Sequence, residues 1–157
     1  PYALGNEDNK PVVMGIPKSN QYIRHGLTKV LKTNENGPFE FTFTEKMFTP
    51  ATLFGNLERC DYIKCDVEGY EIHIIPQLEF LLKPFQPIIQ IEIEQVHRKL
   101  IVGFLSSLSY SAFYLKNKFL LPVAGNPIKI HGDLFFIPVN KMKFVEPYLG
   151  RVNSSNT

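Results

Sequence analysis

Two acidic residues follow an apolar strand in residues 61–71, which read DYIKCDVEGYE. Apolar Ile63 and Cys65 alternate with polar residues, so the two-residue repeat of a strand places Asp66 and Glu68 on one side of the strand end. A carboxylate there could orient an acceptor hydroxyl, accept its proton or bind a cation. Because ligands of open α/β sheets bind beyond the carboxyl ends of the strands, this turn is the first candidate for chemistry.

The same acids also suit structural roles. Asp66 could cap the helix predicted after Gly69, because aspartate is frequent at helix N-caps, and Glu68 has the same ambiguity. Glu71 falls in the first turn of that helix, where the helix dipole stabilises a carboxylate by about 0.3–1 kcal/mol. The sequence therefore leaves both interpretations of these acids open.

A second group of acids accompanies the strand predicted at residues 87–94, whose isoleucines alternate with polar residues. Buried unpaired carboxylates are costly, so Glu92 and Glu94 are expected at the open end of the strand or beside hydrogen-bond partners. Asp66 and Glu92 could share a divalent cation, which leaves metal dependence open. His97 is either a general base, since histidine titrates near neutral pH, or a surface residue at a helix start.

The remaining patterns predict an α/β fold in which strands alternate with helices. We expect helices at residues 49–57, with Thr49 as cap and Pro50 in the first turn, at 70–82, closed by Pro84, and at 97–108. We expect further strands at residues 2–4, 12–14, 39–43, 111–115, 119–123 and 134–139, the one at 39–43 half-buried through its alternating phenylalanines. One domain over residues 1–150 and a disordered tail over 151–157 follow.

A basic segment, residues 17–38, interrupts this pattern and ends in the turn sequence NENGP. It is expected to be a mobile loop, serving either as a basic lid over an anionic or polar acceptor or as a solvated excursion without function.

Composition and cysteine spacing limit the kinds of partner and the cellular compartment that we expect for this protein. The 157 residues carry a net charge of +2 with scattered positive residues, which does not favour nucleic acid as a partner. Cys60 and Cys65, five residues apart along a predicted strand, would lie about 16 Å apart, too far for a disulfide. With no signal peptide and no apolar run of about 18 residues, no membrane partner is expected and a cytoplasmic protein is the default.

The segments YIKCDVEGYE, QPIIQIEIE and GDLFFIP together resemble the FkbM family of S-adenosylmethionine-dependent methyltransferases. The resemblance covers most of the chain, and the DVEGxE core is its most specific motif. It implies a Rossmann-like, doubly wound methyltransferase sheet with an antiparallel terminal strand. The N-terminal part of that fold, with the cofactor-binding glycine loop, is expected to lie upstream of these residues, so that this segment alone can be inactive.

The resemblance also implies a reaction and a set of site residues. S-adenosylmethionine would be the cofactor, and a hydroxyl of a sugar, glycan or secondary metabolite would be the acceptor. Asp66, Glu68, Glu92 and His97 are the catalytic candidates, while Ala3 and Leu4, together with Asp66, would border the cofactor. Oligomeric state is not predicted. The alternative is a non-catalytic Rossmann-like binding or scaffold domain that lacks the cofactor loop.

Overall fold

A computed structural model describes residues 2–18, 27–31, 37–123 and 132–150, and these form two compact units. The first unit draws on the described residues up to 57 and on residues 67–80. The second draws on residues 58–66 and on the described residues from 81 onward. Most of the predicted basic loop and the whole predicted tail lie outside the described residues.

The first unit contains a four-stranded sheet with the strand order β1-β4-β2-β3. Its long central pair, β2 with β4, is antiparallel, and β1 adds to β4 in parallel. The sheet is built from β1 (Ala3–Leu4), β2 (Lys10–Pro17), β3 (Lys29–Val30) and β4 (Phe39–Phe48). Its second strand is longer than the one predicted at residues 12–14, and β3 lies inside the segment predicted to be a loop.

The prediction of a half-buried aromatic strand at residues 39–43 is wrong on burial. Phe41 is 51% exposed and Phe43 is 40% exposed. Alternation decides which side chains share a face of a strand, but it does not decide whether another layer covers that face. The buried residues of this unit lie elsewhere, among them Ile16 and Met47 on the sheet and Ile74 in the helical segment.

Among its described residues, the first unit contains two complete α-helices. The first, α1 (Pro50–Phe54), begins as predicted: the Thr49 hydroxyl accepts a hydrogen bond from the Thr52 N–H, and Pro50 occupies the first turn. The second, α2 (Glu71–Ile74), is much shorter than the helix predicted over residues 70–82. It gives way to a 3₁₀ helix, Ile75–Leu78.

Two prolines explain where the helix prediction failed. Pro76 lacks the N–H that an α-helix would require there, and the chain tightens into the 3₁₀ helix around it. The third helix, α3 (Glu79–Phe85), then includes Pro84 instead of ending before it. The Gln86 N–H still donates to the Leu82 carbonyl at 3.2 Å, so helical hydrogen bonding continues past this proline.

The second unit is organised around a five-stranded sheet with the order β5-β6-β9-β7-β8. Strands β5 and β6 are parallel, and β9 is antiparallel to both of its neighbours. The antiparallel last strand is therefore confirmed, while the doubly wound architecture stays a prediction. The sheet consists of β5 (Tyr62–Cys65), β6 (Ile88–Ile91), β7 (Tyr110–Lys116), β8 (Phe119–Pro122) and β9 (Leu134–Pro138).

Burial in this unit is nearly complete on one face of the sheet. The register places Ile89 opposite Phe136 and Ile91 opposite Leu134, and all four side chains are fully buried. Each such side chain contributes roughly 1.5–3 kcal/mol through removal from water. The described residues of this unit include most of α3, α4 (Arg98–Ser107), which a 3₁₀ helix at Gln95–His97 precedes, and α5 (Met142–Val145). Two more 3₁₀ helices, Val139–Lys141 and Glu146–Tyr148, flank α5.

Candidate functional site

Asp66 and Glu92 lie side by side just past the ends of two parallel strands. Cys65 pairs with Ile91 in the β5–β6 register, and the Glu92 N–H donates to the Cys65 carbonyl at 3.1 Å. The next residue of each strand is therefore an acid, and both acids have the same orientation relative to the sheet. Neighbouring parallel strands are about 4.8 Å apart, which puts the two acids within reach of one small ligand.

A lysine on the same face pairs with one of these two acids. Lys64, two residues before Asp66, donates from Nζ to Asp66 Oδ2 at 2.8 Å. This hydrogen bond, with weaker attraction from Asp133 and Glu92, raises the pKa of the Lys64 ammonium. Lys64 stays charged, and the site holds more negative than positive groups.

Polar side chains continue across the sheet from β5 to the start of β9. The Tyr62 hydroxyl donates to Gln90 Oε1, and Gln90 Nε2 donates to Asp133 Oδ2. Gln90 pairs with Phe135 and Ile91 pairs with Leu134 in the β6–β9 register. Glu92 and Asp133 are the next residues after this last pair, so continuation of the register would set them opposite each other. Asp66, Glu92 and Asp133 thus form a row across three strands, which we call the strand-end row.

Sequence reasoning missed three contributors to this site: Lys64, Gln90 and Asp133. Lys64 shares the alternation that identified Asp66, two positions earlier on the same face. Gln90 stands at the corresponding place before Glu92. Asp133 opens the GDLFFIP segment, immediately before an apolar strand. A polar residue that flanks an apolar strand was the available signal, although only the pairing of β6 with β9 reveals its neighbours.

The acidic turn has a different construction, with Glu71 at its centre. Glu71 is 1% exposed, and its Oε1 accepts hydrogen bonds from the Val67 N–H at 3.0 Å and the Gly69 N–H at 3.3 Å. Gly69 has φ 92° and Glu68 has φ 52°, which is uncommon for a residue other than glycine. Glu71 therefore holds the turn, and the N-cap residue of α2, Tyr70, makes no side-chain cap.

The remaining predicted residues lie at separate places. Ala3 and Leu4 form β1 in the first unit, where they pair with Met47 and Phe48. Glu68 also belongs to that unit, while Asp66, Glu92 and His97 belong to the second. The suggested contacts of Ala3 and Leu4 with the cofactor stay a prediction, as does a catalytic role for Glu68.

His97 lies after the end of β6, in the second unit. Its Nδ1 is 3.8 Å from Glu94 Oε2, and the imidazole is 25% exposed. This position suits either role expected from the sequence, so its function as a base stays a prediction.

The structure also bears on the cation considered for Asp66 and Glu92. In residues 2–18, 27–31, 37–123 and 132–150, no three histidine, cysteine or acidic side chains are grouped so that they could hold a metal ion. Cys60 and Cys65 are both free thiols.

Comparison with protein-family models identifies one match. The model of the Methyltransferase FkbM domain matches residues 29–113, more than half of the chain. The chain belongs to the FkbM methyltransferase family. This confirms the resemblance predicted from the sequence, and the matched range includes β5, the acidic turn and β6. Neither the search of curated proteins nor the search of solved structures gave a match.

The matched range includes Asp66 and Glu92, two of the three acids of the strand-end row, together with Lys64 and Gln90. Asp133 lies beyond it. Within the part of the chain that the structure describes, no helix has both the length and the apolar character needed to cross a membrane.

Proposed function

We propose that this FkbM-family protein transfers a methyl group from S-adenosylmethionine to a hydroxyl of a sugar, a glycan or a secondary metabolite. The observation that carries the proposal is the placement of Asp66 beside Glu92 at the carboxyl ends of two parallel strands. Ligands of open α/β sheets bind at this edge. The family match supports methyl transfer as the reaction class.

The charges at the strand-end row are compatible with this cofactor. When bound, S-adenosylmethionine supplies an electrophilic methyl group on a positively charged sulfonium. Asp66 is hydrogen-bonded to Lys64, and Asp133 and Glu92 are close enough to act on the charge of that lysine. These three acids outnumber the lysine, so the row attracts a cation.

In the proposed reaction, Asp66 accepts a hydrogen bond from the acceptor hydroxyl and takes its proton, while the bound cofactor would supply the methyl group that the acceptor oxygen receives. Lys64 holds the Asp66 carboxylate in place through the 2.8 Å hydrogen bond. Glu92 orients the acceptor from the neighbouring strand, and His97 is a second group that could carry the proton away. Positioning of this kind supplies much of the rate in transfers that need little other chemistry.

The test compares Asp66→Asn with the parent in the intact protein. Tritiated S-adenosylmethionine and a panel of methyl glycosides serve as donor and acceptors, and transfer is measured in a single turnover. Loss of a proton-accepting group should slow transfer by about 10²- to 10⁴-fold. Cofactor binding measured by calorimetry should fall far less than transfer does, because asparagine keeps the size and an acceptor oxygen of aspartate while the other acids of the row keep their charge.

Asp61→Asn is the matched control. Asp61 lies immediately before β5, at its opposite end, where it pairs with Arg59 at 2.5 Å, and its replacement should leave transfer unchanged. Equal rates for Asp66→Asn and the parent would exclude Asp66 as the proton acceptor. Absence of both cofactor binding and transfer in the parent would instead favour the non-catalytic binding or scaffold domain.

A further inference from the structure

Arg98 is a buried charged residue to which the proposed reaction assigns no role. It is the first residue of α4 and is only 4% exposed. Burial lowers the pKa of its guanidinium. Because removing a charged group from water costs several kcal/mol, a buried arginine requires compensating hydrogen bonds.

The guanidinium uses its hydrogen bonds to join two segments of the second unit. Its Nε donates to the Ile93 carbonyl at 3.0 Å, and its Nη2 donates to the Gly132 carbonyl at 3.1 Å. The third nitrogen, Nη1, is buried and has no hydrogen-bond partner among the described residues. Arg98 therefore links the chain just after β6 to the chain just before β9.

Both linked carbonyls are adjacent in sequence to acids of the strand-end row. Ile93 follows Glu92, and Gly132 precedes Asp133. Gly132 has φ 82°, a left-handed conformation that glycine adopts without strain, and this conformation directs the chain into β9. The β6–β9 pairing ends at Ile91 and Leu134, and Arg98 adds a side-chain link between the two segments just beyond it.

The Asp133 carboxylate is held independently by Gln90, whose amide donates to Oδ2 and whose own oxygen accepts from Tyr62. Arg98 fixes the backbone next to Asp133, and Gln90 fixes its side chain. Two separate devices therefore orient one carboxylate toward the end of β6 where Glu92 lies.

We propose that Arg98 is a positioning residue for methyl transfer, which keeps Asp133 in the strand-end row as its third acceptor-orienting carboxylate. This inference rests on the proposed function. It adds a residue outside the range matched by the family model, Asp133, and gives the buried arginine a role in the site.

The first test measures position without requiring activity. In the isotopically labelled intact protein, the side-chain amide resonances of Gln90 report its hydrogen bond to Asp133. Asp133→Asn should shift them, and Arg98→Lys should shift them in the same direction, because lysine cannot reach both carbonyls with a planar fork. Lys99→Gln, the next residue on α4 and exposed, is the control that should leave them unchanged.

The second test is a double-variant cycle in single-turnover transfer with the methyl glycoside panel. Arg98→Lys and Asp133→Asn should each lower kcat by up to about 10²-fold with a smaller change in KM, as expected when a reacting geometry is displaced. The double variant should be no slower than Asp133→Asn alone, since coupled residues have non-additive effects.

Several outcomes of these tests would overturn the positioning role of Arg98. Unchanged Gln90 resonances in a folded Arg98→Lys protein, or fully additive losses of kcat, would overturn the positioning role. Arg98→Gln serves as the second variant. If both Arg98 variants unfold while the Lys99→Gln control stays folded, the positioning role is also overturned, because Arg98 would then serve the stability of the unit as a whole. A parent that transfers no methyl group would refute the proposed function, while the resonance test would still decide whether Arg98 positions Asp133.

Discussion

Asp66 and Glu71 lie five residues apart in the same acidic motif, yet their surroundings are opposite. The Asp66 side chain is 33% exposed and pairs with a lysine whose side chain is 54% exposed. Glu71 is 1% exposed and accepts two backbone hydrogen bonds from its own turn. One carboxylate is accessible to a ligand, and the other is used by the fold.

This difference separates two reasons for which an acid can belong to a motif. An exposed ion pair contributes about 0–1 kcal/mol to stability, so the Lys64–Asp66 pair does not explain why an acid is placed at that strand end. Glu71 Oε1 has a structural role, because the two N–H groups that donate to it would otherwise be left unpaired, although Oε2 is buried without a hydrogen-bond partner among the described residues. We therefore expect Glu71 to serve the stability of the turn, whereas the proposed function would account for Asp66.

Substitution of Glu71 is the strongest test of this difference between the two acids. Replacing Glu71 by alanine should lower the free energy of unfolding by about 2–4 kcal/mol, because the N–H groups of Val67 and Gly69 lose their acceptor. Glu71→Gln, which retains an acceptor oxygen, should lose less than half as much. Urea denaturation measures both values, with Asp66→Asn as the variant expected to stay within about 1 kcal/mol of the parent.

Equal losses for the Glu71 and Asp66 variants would contradict the division into a fold acid and a site acid. A stable Glu71→Ala protein would show that the turn does not depend on its central carboxylate.

Sequence patterns predicted the strand-end acids better than they predicted Glu71. The alternation in β5 and β6 places Asp66 and Glu92 on one side of the sheet, and pairing of the strands brings them together. The role of Glu71 depends on a backbone that folds back over its carboxylate, with two consecutive left-handed residues before it. Periodicity contains no information on such a turn. The sequence was therefore equally compatible with a Glu71 carboxylate stabilised by the helix dipole and with a functional Glu71.

An alternating pattern also does not show whether another layer of the protein covers the apolar face of a strand. Strands β4 and β6 both alternate apolar with polar residues, yet Phe41 is 51% exposed whereas Ile89 is fully buried. The predicted helix over residues 70–82 is wrong for a different reason. Pro76, inside the predicted range, lies where the α-helix gives way to a 3₁₀ helix, whereas Pro84 does not end α3. Asp133 was overlooked because its neighbours come from a strand more than forty residues away in sequence, and Gln90 is one of them.

Two glycines allow the constrained turn to be compared with an ordinary helix. Gly69 has φ 92°, so Gly69→Ala should destabilise the protein by about 1–2 kcal/mol. Gly103 lies within α4 with open space where a Cβ would be, so Gly103→Ala should stabilise it by roughly 0.5–1 kcal/mol. Thermal melts of the two variants test this opposite sign, and a shift in the same direction for both would mean that the turn tolerates an ordinary backbone conformation.

The smallest expected effect comes from a third carboxylate, which accepts a backbone hydrogen bond as Glu71 does but on the surface. The Asp8 Oδ1 accepts from the Thr49 N–H at 2.7 Å, immediately before α1. This hydrogen bond, followed by one from the Thr52 side chain, lowers the pKa of the Asp8 carboxyl. Asp8 is thus a surface counterpart of Glu71.

Because the folded pKa of Asp8 lies below its unfolded value, the ionised form favours folding above the unfolded pKa. That contribution should be lost as pH falls from about 4 through the folded pKa, since the unfolded chain takes up the proton first. Asp8→Asn removes this titration, so the difference in melting temperature between parent and variant should be largest near about pH 7 and shrink toward about pH 3. Taking the difference cancels the other carboxylates, which titrate in both proteins. A difference that does not change with pH would mean that the hydrogen bond to Thr49 does not depend on the charge of Asp8.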